Sequence, residues 1–206
     1  MTKREVKEII YCDIGPIVSA KGFKLKRAED SFERKITDGK QSIGVPVIDY
    51  APKYKISLTL AIRLDAVENI IHLFSGSPTK YHKVSATYIS RLDRFVPSEE
   101  AVFEVLTEED IHSICSRWAP IIDNQILPFL DENRDLKSLA QVMNFEKLPE
   151  TVTGAGPAMH AVTVARLTKD PRFLSLVEGY SERMQYLPKG TQESFLQLVE
   201  YLKSEY

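Results

Sequence analysis

The residues whose types and spacing could do chemistry are few. Glu33 and Lys35 form a Glu-x-Lys on a segment that reads as a strand, so both side chains share a face opposite Phe32 and Ile36. In such a pair the carboxylate can hold Mg²⁺ while the lysine positions an attacking water, the chemistry of a metal-dependent nuclease. The preceding strand supplies no Asp to complete the metal site, and Asp13 falls on a helix. His112 and Cys115 lie three apart on a helix and could reach one ion, but two ligands do not close a zinc site. His72, His82 and His160 fall in separate elements without ligand spacing, so no metal or other cofactor is expected. Gly179-Tyr-Ser181-Glu-Arg183 comes nearest to a nucleophile elbow, yet it lacks the second glycine and sits within an amphipathic helix. Gly154-Ala-Gly156-Pro157 precedes a helix as a phosphate cradle would, but follows no strand and loses one amide donor to Pro157. No catalytic constellation is complete, and the reading leans away from an enzyme.

Other features suit binding. Residues 96–132 hold nine acids and one base, Arg117, with Glu99, Glu100, Glu104, Glu108, Glu109 and Asp110 in the densest part. That field can steer a basic protein partner, although a solvated helix face is the ordinary account of such a charge run. The net charge of −2 gives no reason to expect nucleic acid as a partner. His160, Thr163 and Arg166 form the polar stripe of an otherwise apolar helix from Pro157 to Thr168. Solvent ordinarily explains such a stripe; on a central helix the same three groups would line a polar cleft and bind a ligand. Arg34 shares its strand face with Phe32 and Ile36, and must either snorkel from a sheet edge or pair with a carboxylate near the core.

The elements that must position these groups follow from periodicity. Tyr54, Ile56, Leu58, Leu60, Ile62 and Leu64 alternate along one extended segment, a strand with one apolar face. Before it, Thr2 and Glu5 make a capping box for a helix that Gly15-Pro16 should bend or split, and Gly22 offers a left-handed stop. Strands are expected from Phe23, over Ser31–Thr37 and, after an Asp38-Gly39 hairpin turn, over Gln41–Asp49 with a break at Pro46. Asp65 and Glu68 read as a second capping box, opening a short helix. Residues 87–96 return to the sheet, and 102–106 are a strand or a helix end. Thr107 with Asp110 caps a long helix interrupted by Pro120 and Pro128, another helix covers 136–145, and 148–157 is a loop. Three helices complete the chain, too few residues for an independent core. With 43% hydrophobic and 27% charged residues the chain is a folded one. No run approaches the roughly 20 apolar residues of a membrane span, and the first residues lack the apolar stretch of a signal peptide, so a cytoplasmic location is expected. Two cysteines make no disulfide framework.

The amphipathic helix, Gly22-Phe23-Lys24, Phe32-Glu33-Arg34 and the alternating strand together resemble a group of uncharacterised bacterial domains, some of which sit among suspected toxin-immunity proteins. The resemblance covers at most the first two thirds of the chain. It implies an α+β sheet and a cytoplasmic, non-catalytic protein, and brings no catalytic residues with it. The expected fold is α+β, an antiparallel sheet of about four to six strands with helices on one face. Residues 1–148 are expected to form the sheet domain and 149–206 a helical tail packed on it, with a single domain as the alternative. The expected function is a non-catalytic, immunity-like interaction protein presenting its acidic surface to a basic protein partner. The metal-dependent nuclease of the PD-(D/E)-x-K kind, using Glu33 and Lys35, is the alternative.

Overall fold

The computed structural model describes residues 1–143 and 155–205. The chain is α+β, with a five-stranded antiparallel sheet and a separate three-stranded one. It divides into two compact units, Met1–Ile62 with Ile89–Glu132, and Arg63–Tyr88 with Asn133–Tyr206. The boundary expected near 148 lies outside the described residues.

In the first unit, α1 (Lys3–Ser19) begins at the capping box: the Thr2 hydroxyl accepts the Glu5 N–H, and the Glu5 carboxylate accepts the Thr2 N–H at 2.6 Å. Val6, Ile10, Ile14 and Val18 form its fully buried stripe. Pro16 does not split the helix. It lies in the last turn, where its missing N–H forfeits a single ladder bond. Gly22, at φ 84°, takes the left-handed conformation that turns the chain into the sheet.

The five-stranded sheet runs β1 (Lys24–Lys26), β2 (Ser31–Ile36), β3 (Gly39–Gly44), β6 (Thr59–Leu64), β7 (Tyr88–Arg91). The smaller sheet runs β4 (Val47–Tyr50), β5 (Lys53–Ser57), β8 (Val102–Val105). The break expected at Pro46 divides two strands between the sheets, and the Tyr54–Leu64 segment, which reads as a single strand, is divided as well, at Leu58. Proline has no N–H for the ladder, and the Pro46 carbonyl instead accepts the Ser57 N–H at 3.3 Å. Side-chain alternation passes through the break undisturbed: Tyr54, Ile56, Leu58, Leu60, Ile62 and Leu64 are all 9% exposed or less. The 102–106 segment is a strand, pairing Tyr54 with Val105 and Ser57 with Val102.

Thr107 and Asp110 cap α3 (Glu108–Ile121) as the sequence reads. Between Pro120 and Pro128 the helix widens into a π-helical turn, Ile122–Ile126, and resumes as α4 (Leu127–Glu132). Trp118, Ile122, Ile126, Leu127 and Leu130 are fully buried along it.

The second unit is helical: α2 (Asp65–Phe74), α5 (Leu136–Met143), α6 (Ala155–Leu167), α7 (Phe173–Met184) and α8 (Lys189–Glu205). α6 is central, touched by the other four. Ala158, Val162, Thr163, Val164 and Ala165 have no exposed surface, which explains a helix apolar nearly all round. The last three helices thus complete a core with α2 that they could not bury alone.

Replacing Leu60, fully buried on β6, by alanine should lower unfolding free energy by about 2 to 5 kcal/mol. Replacing Ile48, 53% exposed on β4, should change it by less than about 0.5 kcal/mol. Denaturant titration giving equal losses would overturn the assignment of faces.

Candidate functional site

Helical spacing buries a charge. Leu64, Val67, Glu68 and Ile71 recur at three, four and seven and form the inward stripe of α2, so Glu68 sits where an apolar residue would be expected and has no exposed surface. It is not a capping residue. The cap position is Leu64, with no side-chain bond to the helix, and the Asp65 carboxylate accepts Arg63 Nε at 2.7 Å.

Glu68 Oε1 accepts the Thr87 hydroxyl at 2.9 Å, and the same Thr87 oxygen accepts the Leu64 N–H at 3.0 Å. His160 on α6 brings Nε2 to 2.9 Å from Oε1, while its Nδ1 lies 2.7 Å from the Gly156 carbonyl oxygen. Both ring nitrogens face acceptors, so both contacts are hydrogen bonds only when the ring carries two protons. Oε2 of Glu68 is buried without a hydrogen-bond partner, 3.6 Å from His72 Nε2 and 3.9 Å from Arg63 Nη1. Burial alone would raise the Glu68 pKa; the hydrogen bond and charge of His160, with the Ser85 and Thr87 hydroxyls, outweigh it and hold the carboxyl at about 2. It is a carboxylate at neutral pH.

Around this charge opens a cleft of about 560 Å³ whose lining includes Glu68, His72, Ser85, His160, Thr191 and Ser194. Arg63 Nη1 donates to the Ser85 hydroxyl oxygen and to the His82 carbonyl, each at 2.6 Å, and so fixes the loop on one wall. His72 Nε2 lies 2.9 Å from Ser85 Oγ. The His72 ring stacks on His82 with centroids 3.7 Å apart and planes 9° from parallel, and His82 Nε2 lies 2.9 Å from the Ser77 carbonyl oxygen. Burial, then the neighbouring His82, pushes the His72 pKa below its usual value, which favours the neutral ring.

The three histidines come from separate elements, as the sequence reads, yet His160 and His72 both approach the Glu68 carboxylate, and His82 stacks on His72. Among the described residues, no group of three His, Cys, Asp or Glu side chains could hold a metal ion. Of the sequence candidates on α6, His160 enters the cleft. Thr163 is fully buried with its hydroxyl unpartnered, and Arg166 donates Nε to the Leu202 carbonyl with its guanidinium over the Phe173 ring. Gly156 also lines the cleft, whereas Gly154 lies outside the described residues.

The remaining candidates lie in the first unit. Glu33 pairs with Lys40 at 2.6 Å rather than with Lys35, and Lys40 also lies 3.7 Å from Glu29. A lysine ammonium therefore occupies the place between two carboxylates that a metal would take. Arg34 takes the second of its two expected options: it pairs with Asp131 at 2.8 Å, donates to Gln41 and to the Lys21 carbonyl, and lies over the Phe23 ring. In the acidic run, Glu104 pairs with Lys53 and Lys55, Glu100 with Arg117, and Glu108 with His112. Asp110 is spent on the cap of α3, and Glu99 and Glu109 are exposed. His112 meets Asp13 at 2.7 Å, which raises its pKa, while burial pushes the Cys115 thiol up to about 12.

Sequence reasoning missed Glu68, His72 and Ser85. A signal for the first two was present: a Glu on the apolar stripe of a helix, followed by a His at the fourth position on the same side. For Ser85 there was none. No family model, curated protein or solved structure matches the chain.

Because the folded-state pKa of Glu68 is depressed from about 4.5 to about 2, its stabilising contribution is complete above the higher value and disappears as pH falls through the lower one. Over that window the contribution amounts to roughly 3 kcal/mol. Thermal melts of wild type and Glu68→Gln between pH 2 and 7 should show a steep acid limb in the wild type that the variant lacks. Parallel limbs would refute the buried carboxylate.

Proposed function

We propose that this chain binds a small polar ligand in the cleft of its second unit. The observation that supports the reading is the Glu68 carboxylate: charged, without exposed surface, one oxygen unpartnered, beneath two histidines on the cleft wall. A buried carboxylate oxygen without a hydrogen bond carries a desolvation cost of about 1 to 3 kcal/mol, offset here by His160, Ser85 and Thr87. Such costs are concentrated at functional sites. The volume, about 560 Å³, falls in the range of small-molecule sites. Hydroxyls of Thr191 and Ser194 on α8 and the imidazoles of His72 and His160 supply donors and acceptors, while Ile71 and Met159 supply apolar contact.

Capture of a basic protein partner by residues 96–132 has less support. Four of the six acids singled out there are already engaged within the chain, by lysine, arginine, histidine or a helix start.

A thermal-shift screen with sugars, nucleosides, nucleotides, amino acids and short carboxylic acids and esters tests the reading. A compound at 100 times its Kd should stabilise the chain by about 2.7 kcal/mol, a shift of several degrees. The shift should shrink in His160→Asn and persist in Glu33→Ala. Shifts that survive His160→Asn, or a panel without a single hit, would count against the cleft.

A further inference from the structure

We propose that Ser85 is a nucleophile, that His72 is its general base, and that the cleft accepts a small carboxylic ester or similarly activated acyl compound. The inference rests on the ligand-binding reading, since the substrate enters through the same cleft. Three contacts converge on one hydroxyl. Ser85 Oγ lies 2.9 Å from His72 Nε2, 2.6 Å from Arg63 Nη1 and 3.0 Å from the His82 carbonyl oxygen. The guanidinium can only donate, so the serine proton is directed to the carbonyl, to the imidazole or to the Glu68 carboxylate, whose ionised form the Ser85 hydroxyl favours. In the neutral ring, with its proton on Nδ1, Nε2 presents a lone pair to that proton. This is the reach required between a nucleophile and its base.

The arrangement differs from a Ser-His-carboxylate triad. There the carboxylate meets Nδ1 and sets the tautomer; here Glu68 Oε2 is 3.6 Å from Nε2, the nitrogen that also faces the serine. The ring is oriented instead by the His82 stack and by its place four residues after Glu68 on α2. The carboxylate contributes through its charge: it favours the imidazolium that forms when His72 takes the serine proton. Arg63, held by Asp65 through Nε, donates to the Ser85 oxygen and favours its deprotonated form.

In the acylation step a bond forms between Ser85 Oγ and the carbonyl carbon, and the ester carbon–oxygen bond breaks. The serine proton passes to His72 Nε2 and from there to the departing alkoxide, which leaves as an alcohol. Water then attacks the acyl-serine, gives one proton to Nε2, and releases the carboxylic acid as Ser85 recovers its proton. No oxidant or reductant is needed.

A fluorophosphonate probe, which transfers its phosphonyl group to an activated serine and loses fluoride, reads the first step on the full chain. Intact mass and peptide mapping should show one adduct per chain, at Ser85, and none after unfolding in urea. Ser85→Ala should take up no probe. His72→Gln keeps a polar contact without a basic nitrogen and should label at least tenfold more slowly. The wild-type rate should rise with pH through the ionisation of His72, which faces Glu68, Arg63, His82 and His160, and the variant should lose that inflection. An adduct at another residue, no adduct, or equal rates in His72→Gln would overturn the proposal. If circular dichroism shows that Ser85→Ala does not fold, the mapped wild-type adduct and the His72→Gln rate decide. A chain that responds to the ligand panel but takes no probe loses the nucleophile and keeps the site; a chain that does neither loses both.

Discussion

The second unit is arranged around a carboxylate that water does not reach. Glu68 lies on the inward stripe of α2, and removing a charge from water is costly unless other groups take over its hydration. Each group that does so comes from a different part of the unit: His160 from α6, Thr87 from the segment before β7, and His72 from one turn further along α2. The compensation ties together pieces far apart in sequence, 92 residues in the case of Glu68 and His160. It is also incomplete, since one oxygen has no hydrogen bond. That oxygen keeps longer contacts, 3.6 Å to His72 Nε2 and 3.9 Å to Arg63 Nη1, and the residue lies on the wall of a cleft.

The first unit solves a similar problem around Arg34. Arg34 enters a sheet face otherwise occupied by Phe23, Phe32 and Ile43, and is 11% exposed at its side chain. Its guanidinium is satisfied by Asp131, Gln41 and the Lys21 carbonyl, and its flat face rests on Phe23. Gln41, fully buried, in turn donates to the Leu130 carbonyl at the end of α4. The result fastens α4 to β2 and β3. A satisfied network of this kind makes packing specific and offers a ligand no vacant valence.

Helix starts and strand faces were legible because they depend on neighbours in sequence. Thr2 with Glu5 and Thr107 with Asp110 cap their helices as their spacing requires, and the alternation from Tyr54 to Leu64 buries every second side chain. The same local reasoning failed at Asp65 and Glu68. Their spacing matches a capping box, but Glu68 also falls on the apolar stripe, and contacts with α6 decided between the two roles. The division of two strands between two sheets was legible only in part, because Pro46 marks its own break while Leu58 carries no local sign.

By itself the sequence determined the α+β class, the main helix starts and which faces are apolar, since these follow from periods of 2 and 3.6 and from short-range hydrogen bonds. Tertiary structure alone decided that His72 and His160, from separate helices, meet around one carboxylate with His82 stacked on His72, and that Ser85 lies between an arginine and an imidazole. The reason is physical. A hydrogen bond or an ion pair depends on distances of about 3 Å, and for residues dozens of positions apart those distances are set by how helices pack, which no local period encodes.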